Sequence, residues 1–203
     1  MESVTLGPLE TNCYLLGDRE TREAVVIDPG APEPALGRLV RDWVVRGIVL
    51  THAHWDHFGG AGFLVEKTDA PLLLGVDDLD LYRDPSANLA ALLGPDVELP
   101  EPNRLLKAGS TLECGNLQLQ VASAPGHSPG GIILKGEGFA FTGDTIFANA
   151  VGRTDLPGGD ETALFSTIEK EILTLPDETV LYPGHGPKTT VGQERISNPF
   201  LLH

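Results

Sequence analysis

Short apolar runs rich in Val, Ile and Leu recur along the chain, and several stop at a Gly, Pro, Asp or His: AVVIDPG, GIVLTHAH, LQLQVASAPGH, GFAFTGD and TVLYPGH. Runs of this length and composition predict strands followed by turns. Between them apolar positions repeat with helical spacing, roughly over 32–43, 59–67, 76–83, 86–93 and 161–175. In the last stretch Leu164, Ile168 and Ile172 recur every fourth residue behind two N-cap candidates, Asp160 and Thr162. Alternating strands and helices predict a layered α/β fold. Two hairpin signals modify it, because Gly115-Asn116 in TLECGNLQLQV and Gly136 to Gly138 in GGIILKGEGFAFTG each separate two strand-like runs. The sheets are therefore expected to be mixed.

A length of 203 residues predicts one domain over 1–203. The balance of 29 acidic against 14 basic residues gives a formal charge of −15, which repels phosphate backbones and anionic bilayers. Neither nucleic acid nor a membrane is an expected partner. The opening MESVTLGPLE lacks a basic, apolar leader, and no apolar run reaches the roughly 18 residues of a membrane span, so a cytoplasmic protein is expected. Cys13 and Cys114 lie far apart, outside any CxxC, and read as small core residues. Nothing in the pattern speaks to oligomeric state.

The stretch LTHAHWDHFGG holds three of the six histidines within six positions. In HAHWDH the polar residues would be scattered around a helix and split between the faces of a strand, so the segment is expected to be a turn at a strand end. There His52, His54, Asp56 and His57 can converge on one small volume. The arrangement returns at His127 after LQVASAPG, at Asp144 after FAFTG and at His185 after VLYPG. Ligands gather at strand ends in α/β sheets, which predicts that the four segments meet at one edge. Taken singly, a histidine such as His185 reads as an ordinary polar group near the surface. Taken together, several imidazoles and two carboxylates are costly to bury without a cation. Seven nitrogen and oxygen ligands exceed a closed four-coordinate site and suit two adjacent divalent metal ions. His52, His54 and His127 are expected to hold one, Asp56, His57 and His185 the other, with Asp144 between them. The absence of a thiolate from the set allows zinc, foremost, and also iron or manganese. His203 is expected to play no part.

These residues resemble the metallo-β-lactamase superfamily: THAHWDH matches its HxHxDH signature, and PGHSPG, FTGD and YPGHG follow in the expected order. The resemblance runs from NCYLL to Gly186 and implies an αββα sandwich with metals at one edge between two β-sheets. Asp28, in VVIDPG, matches a position that is usually structural. Within the superfamily, FTGDTIFANAVGRTDLPGGD and GPKTTVGQERISNPFL look like the short bacterial glyoxalase II-like hydrolases, without the C-terminal helical domain of the full-length enzymes. The implied activity is metal-dependent hydrolysis of a small-molecule acyl-thiol, most simply a hydroxyacylglutathione. Asp56 would orient the attacking water and Asp144 would join the two ions. Arg153 falls where glyoxalase II carries a basic residue that contacts the peptide part of glutathione; an ion pair with Asp155 or Asp160 is the competing role. Two other branches share much of the signature, the one-iron persulfide dioxygenases and hydrolases of lactones or other esters.

Overall fold

Several strand-forming runs, such as those at Leu72–Gly75 and Phe139–Gly143, are apolar at successive positions, which suits sheets covered on both faces. In the computed structural model, which describes residues 1–94 and 99–202, the strands build two six-stranded sheets. The first runs β1 (Glu2–Leu6), β2 (Thr11–Gly17), β3 (Glu23–Ile27), β4 (Val44–Val49), β5 (Leu72–Gly75) and β6 (Arg104–Leu106) in spatial order. Its first two pairings are antiparallel and the rest parallel. The second contains β7 (Thr111–Cys114), β8 (Leu117–Ser123), β9 (Ile132–Gly136) and β10 (Phe139–Gly143). A small separate hairpin follows, β11 (Ile146–Phe147) with β12 (Ala150–Val151), before β13 (Val180–Pro183) and β14 (Thr189–Thr190) complete the second sheet in the order β14-β13-β10-β9-β8-β7. Only β10 and β13 are parallel there. Both sheets are mixed, and the two expected hairpins close at Cys114 opposite Leu117 and Gly136 opposite Phe139.

Alternation along the strands sorts side chains into three apolar layers. Val25, Ile27, Leu134 and Phe141 pack between the sheets. Ala24 and Val26 face instead α1 (Pro34–Leu39), α2 (Trp55–Phe58), α3 (Ala61–Thr68), α4 (Leu79–Arg83) and α5 (Ala90–Leu93), through Leu36, Phe58, Leu64, Tyr82 and Ala90. Ile133 and Ala140 meet α6 (Glu161–Thr167), the wider π-helical turn Ile168–Ile172 that continues it, and α7 (Val191–Ser197). The result is an αββα sandwich. A fully buried Leu, Ile or Phe contributes roughly 1.5–3 kcal/mol, whereas helices of one or two turns are unstable alone, so these layers hold the helices in place.

The helices are shorter than the periodicity predicts. The stretch 32–43 is helical only to Leu39, and Trp43 turns back to cover Gly17, where a Cβ would collide with the indole. In 86–93 only Ala90–Leu93 is helical, because the Asp84 carboxylate accepts the Ser86 and Ala87 amides and Asn88 ties Leu81, Tyr82 and Ala90. Asp160 caps α6, accepting the Ala163 amide at 2.9 Å. Cys13 and Cys114 are both buried and unpaired. Among the described residues no helix is long and apolar enough to cross a membrane.

Candidate metal centre

Four strand ends bring the seven residues together at one edge of the sandwich. The segment after β4 carries His52 in a bend and His54 in extended conformation, and then closes into the helical turn α2, which holds Asp56 and His57. A turn was expected throughout; the helix is too short for periodicity to reveal. His127 follows β8, Asp144 follows β10 and His185 follows β13. His52, His54 and His127 place one ligand atom each within 4.8 Å of one another, as do Asp56, His57 and His185, and as do His52, His57 and Asp144. Asp144 reaches toward both outer groups, with Oδ2 3.6 Å from His127 Nε2 and 3.5 Å from His185 Nε2, and Oδ1 3.4 Å from His57 Nε2. His203 lies outside the described residues.

Each of several imidazoles commits its Nδ1 to the protein. His127 Nδ1 lies 2.8 Å from the Arg153 carbonyl and His185 Nδ1 3.0 Å from the Leu9 carbonyl, so both must donate there. His57 Nδ1 lies 3.0 Å from Asp28 Oδ2 and is a donor for the same reason. In the neutral rings that leaves Nε2 lone pairs on His57 and His185, whose Nε2 atoms stand only 3.3 Å apart. His127 Nε2 stands 2.9 Å from His54 Nδ1. His52 Nε2, His54 Nε2 and Asp144 Oδ1 are buried with no hydrogen-bond partner. Converging lone pairs and orphaned acceptors repel one another unless a proton or cation lies among them. The donor set therefore fits divalent metals, and the anchored Nδ1 atoms match the way ligating histidines are oriented by an acceptor behind them.

Charge follows position. Burial takes His54 down to about 4 and His52 well below its ordinary value, with neighbouring imidazoles adding to both effects. Both are neutral lone-pair donors at pH 7. Burial would depress His57 too, but the Asp144, Asp56 and Asp28 carboxylates outweigh it and hold the ring well above its usual value. Burial works to raise Asp56, and His57 and His185 overcome it and lower the carboxyl.

Asp28 holds no place in these groups. It accepts the Thr51 amide and hydroxyl, both at 2.7 Å, and orients His57, from a backbone φ of 52° that only a short polar side chain or glycine tolerates well. Arg153 forms a two-pronged pair with Asp155 at 2.7 and 2.8 Å, exposed to solvent, while its carbonyl orients His127. Two buried groups escape a motif search. Asp78 braces the ligand loops, and its only sequence signal is a carboxylate just after the apolar run LLLG. Thr11, at the start of β2, donates to Asp56 Oδ2 at 3.1 Å.

The Metallo-beta-lactamase superfamily model matches residues 6–185. The chain is 34% identical to hydroxyacylglutathione hydrolase GloC of Haemophilus influenzae, over 99% of this chain and 97% of that one. It is equally 34% identical to the mitochondrial persulfide dioxygenase ETHE1 of Homo sapiens, over 94% and 71%. Among solved structures, BLEG-1 B3 metallo-beta-lactamase superposes with a TM-score of 0.93 at 37% identity, covering 100% of this chain and 99% of that one. TTHA1623 in a di-iron-bound form gives 0.86 at 42% identity, covering 99% and 100%. With the HxHxDH loop, His127, Asp144 and His185 after it and the αββα sandwich in place, the chain belongs to the metallo-β-lactamase superfamily.

Proposed function

We propose that the protein is a dinuclear metal-dependent hydrolase of small acyl-thiols, most simply a hydroxyacylglutathione. The observation that carries this reading is the pair of ligand groups, His52, His54 and His127 beside Asp56, His57 and His185, with Asp144 facing both. The similarity to GloC supports the thioester, and the di-iron form of TTHA1623 supports two ions on a set without thiolate. Bound there, two divalent cations, zinc, iron or manganese, would supply Lewis acidity and acidify water enough to make it a nucleophile near neutral pH. The chain's residues do the rest. Asp56, fixed by the Thr11 hydroxyl, presents a carboxylate edge that orients the attacking water. Asp144 joins the two groups. Arg153, by exchanging Asp155 for a substrate carboxylate, clamps the acyl-thiol remote from the reacting carbonyl. A thiolate leaves with little need of a proton, since thiols ionise near pH 8.5.

The test is elemental analysis beside thiol release from S-lactoylglutathione. About two metal ions per chain and rapid release are expected; one ion at most after supplementation with zinc, iron and manganese would count against the reading. Arg153→Ala should raise KM severalfold with little change in kcat, since a remote clamp supplies uniform binding. An unchanged KM would leave Arg153 as the partner of Asp155 alone.

The equal identity to ETHE1 favours a second reading, a one-iron persulfide dioxygenase. Oxygen uptake with glutathione persulfide by the iron-loaded protein, and no thioester cleavage by the iron or zinc form, would establish it. Asp56, His57 and His185 argue for the hydrolase, because one iron on the other group has no use for them.

A further inference from the structure

We propose that Asp78 is a positioning residue for the His52, His54 and His127 site, a buried carboxylate that sets the spacing of the two loops carrying those ligands. It rests on the reading of that group as a metal site. Asp78 is fully buried at the turn after β5. Its Oδ2 accepts the Ala53 amide at 2.9 Å and the Ser128 hydroxyl at 2.8 Å, and its Oδ1 accepts the Gly130 amide at 2.5 Å. Ala53 lies between His52 and His54, and Ser128 directly follows His127. One side chain thus holds both loops, whose imidazoles meet at 2.9 Å between His54 and His127.

The arrangement has a counterpart. Asp28 grips the amide of Thr51, just before His52, and Asp78 grips that of Ala53, just after it. His52 is fixed by a carboxylate on either side. A carboxylate buried without a cation carries a desolvation cost of several kcal/mol. All three donors facing Asp78 need an acceptor, and only a carboxylate offers enough lone pairs without bringing a proton of its own. An asparagine would turn N–H groups toward amides and open the gap between the loops. Gly130 leaves no room for adjustment, since a Cβ there would strike the backbone of Asp77 and Asp78.

The experiment is competition for zinc by a chromophoric chelator, on the zinc-loaded wild type, Asp78→Asn, Ser128→Ala, His54→Ala and His185→Ala. Orienting groups behind ligands typically change metal affinity about 10–100-fold. Asp78→Asn should weaken by about tenfold or more the ion that His54→Ala removes, and leave the ion that depends on His185 within about threefold. Its kcat should fall with KM nearly unchanged, since the substrate clamp is elsewhere. Ser128→Ala removes one donor and keeps the carboxylate; it should weaken the same ion by a smaller factor, and it decides the matter if Asp78→Asn does not fold. Wild-type affinity for both ions in the variants, or equal weakening of both, would overturn the role of Asp78 and leave the metal reading standing. A wild type that takes up no zinc would overturn both.

Discussion

Four ionisable side chains converge on His57: Asp28 behind it, Asp56 and Asp144 in front, and His185 across the cleft. Asp144 is the acidic counterpart, facing imidazoles of both groups. Asp144→Ala should therefore lower the content of both metals and abolish turnover, read by elemental analysis and thiol release. Wild-type metal and activity would remove Asp144 from the centre. Acid acts on the same residues in the chelator-treated protein. The folded value of His54, about 4, lies below its unfolded value of about 6.5. The unfolded chain then binds the proton first, so the stability His54 contributes is complete above about pH 6.5 and is lost as pH falls toward 4. His52 shifts in the same direction, while His57 shifts upward and loses its contribution only above pH 6.5. The urea midpoint should be lower at pH 4.5 than at pH 6.5, and His54→Gln should shrink the difference. An identical pH dependence in wild type and variant would refute it.

At the scale of elements, the ligand loops depend on how closely strand ends approach. Gly184, just after β13, lies against Asp144 and His57, so that a Cβ there would collide with the Asp144 carboxylate. Gly184→Ala should displace that carboxylate and reduce turnover at least about tenfold with loss of bound metal, while the fold survives. Normal metal content would show that the loop can yield. The strands that lead into the site, both hairpins and the convergence of the seven proposed ligands are legible because four apolar runs end just before those residues. What periodicity misses is set by contacts distant in sequence. Trp43 leaves the helical path for Gly17, and Asp78 braces loops from residues 53 and 128 that no spacing rule connects to it. One missed helix was readable: in TTVGQERIS, Thr190 caps α7 by accepting the Gln193 amide at 3.2 Å, a Ser/Thr-x-x-Glu/Gln pattern.

At the scale of the molecule, α7 ties the second sheet to the β11–β12 hairpin. Glu194, fully buried, accepts the Asn149 amide and the Asn198 amide group, both at 2.8 Å, and the Thr189 hydroxyl at 2.5 Å. Glu194→Ala would leave these donors without an acceptor, at a cost of about 3 kcal/mol, or a fall in Tm of roughly 6–12 °C. Calorimetry checks it, and a shift under about 2 °C would mean that water replaces the carboxylate at little cost.

The Leu9 carbonyl receives His185 from 176 positions along the chain. Three residues on, the Asn12 backbone amide donates to the Gly184 carbonyl at 2.7 Å. A ribosome delivers the HxHxDH loop early and the last imidazole late. Until residue 185 has emerged, a nascent chain can present His52, His54, Asp56 and His57 only as an incomplete set, without the turn that aligns His185. On the proposed two-ion reading, the full centre can form only after residue 185 has emerged, so chains stalled upstream of β13 lack it.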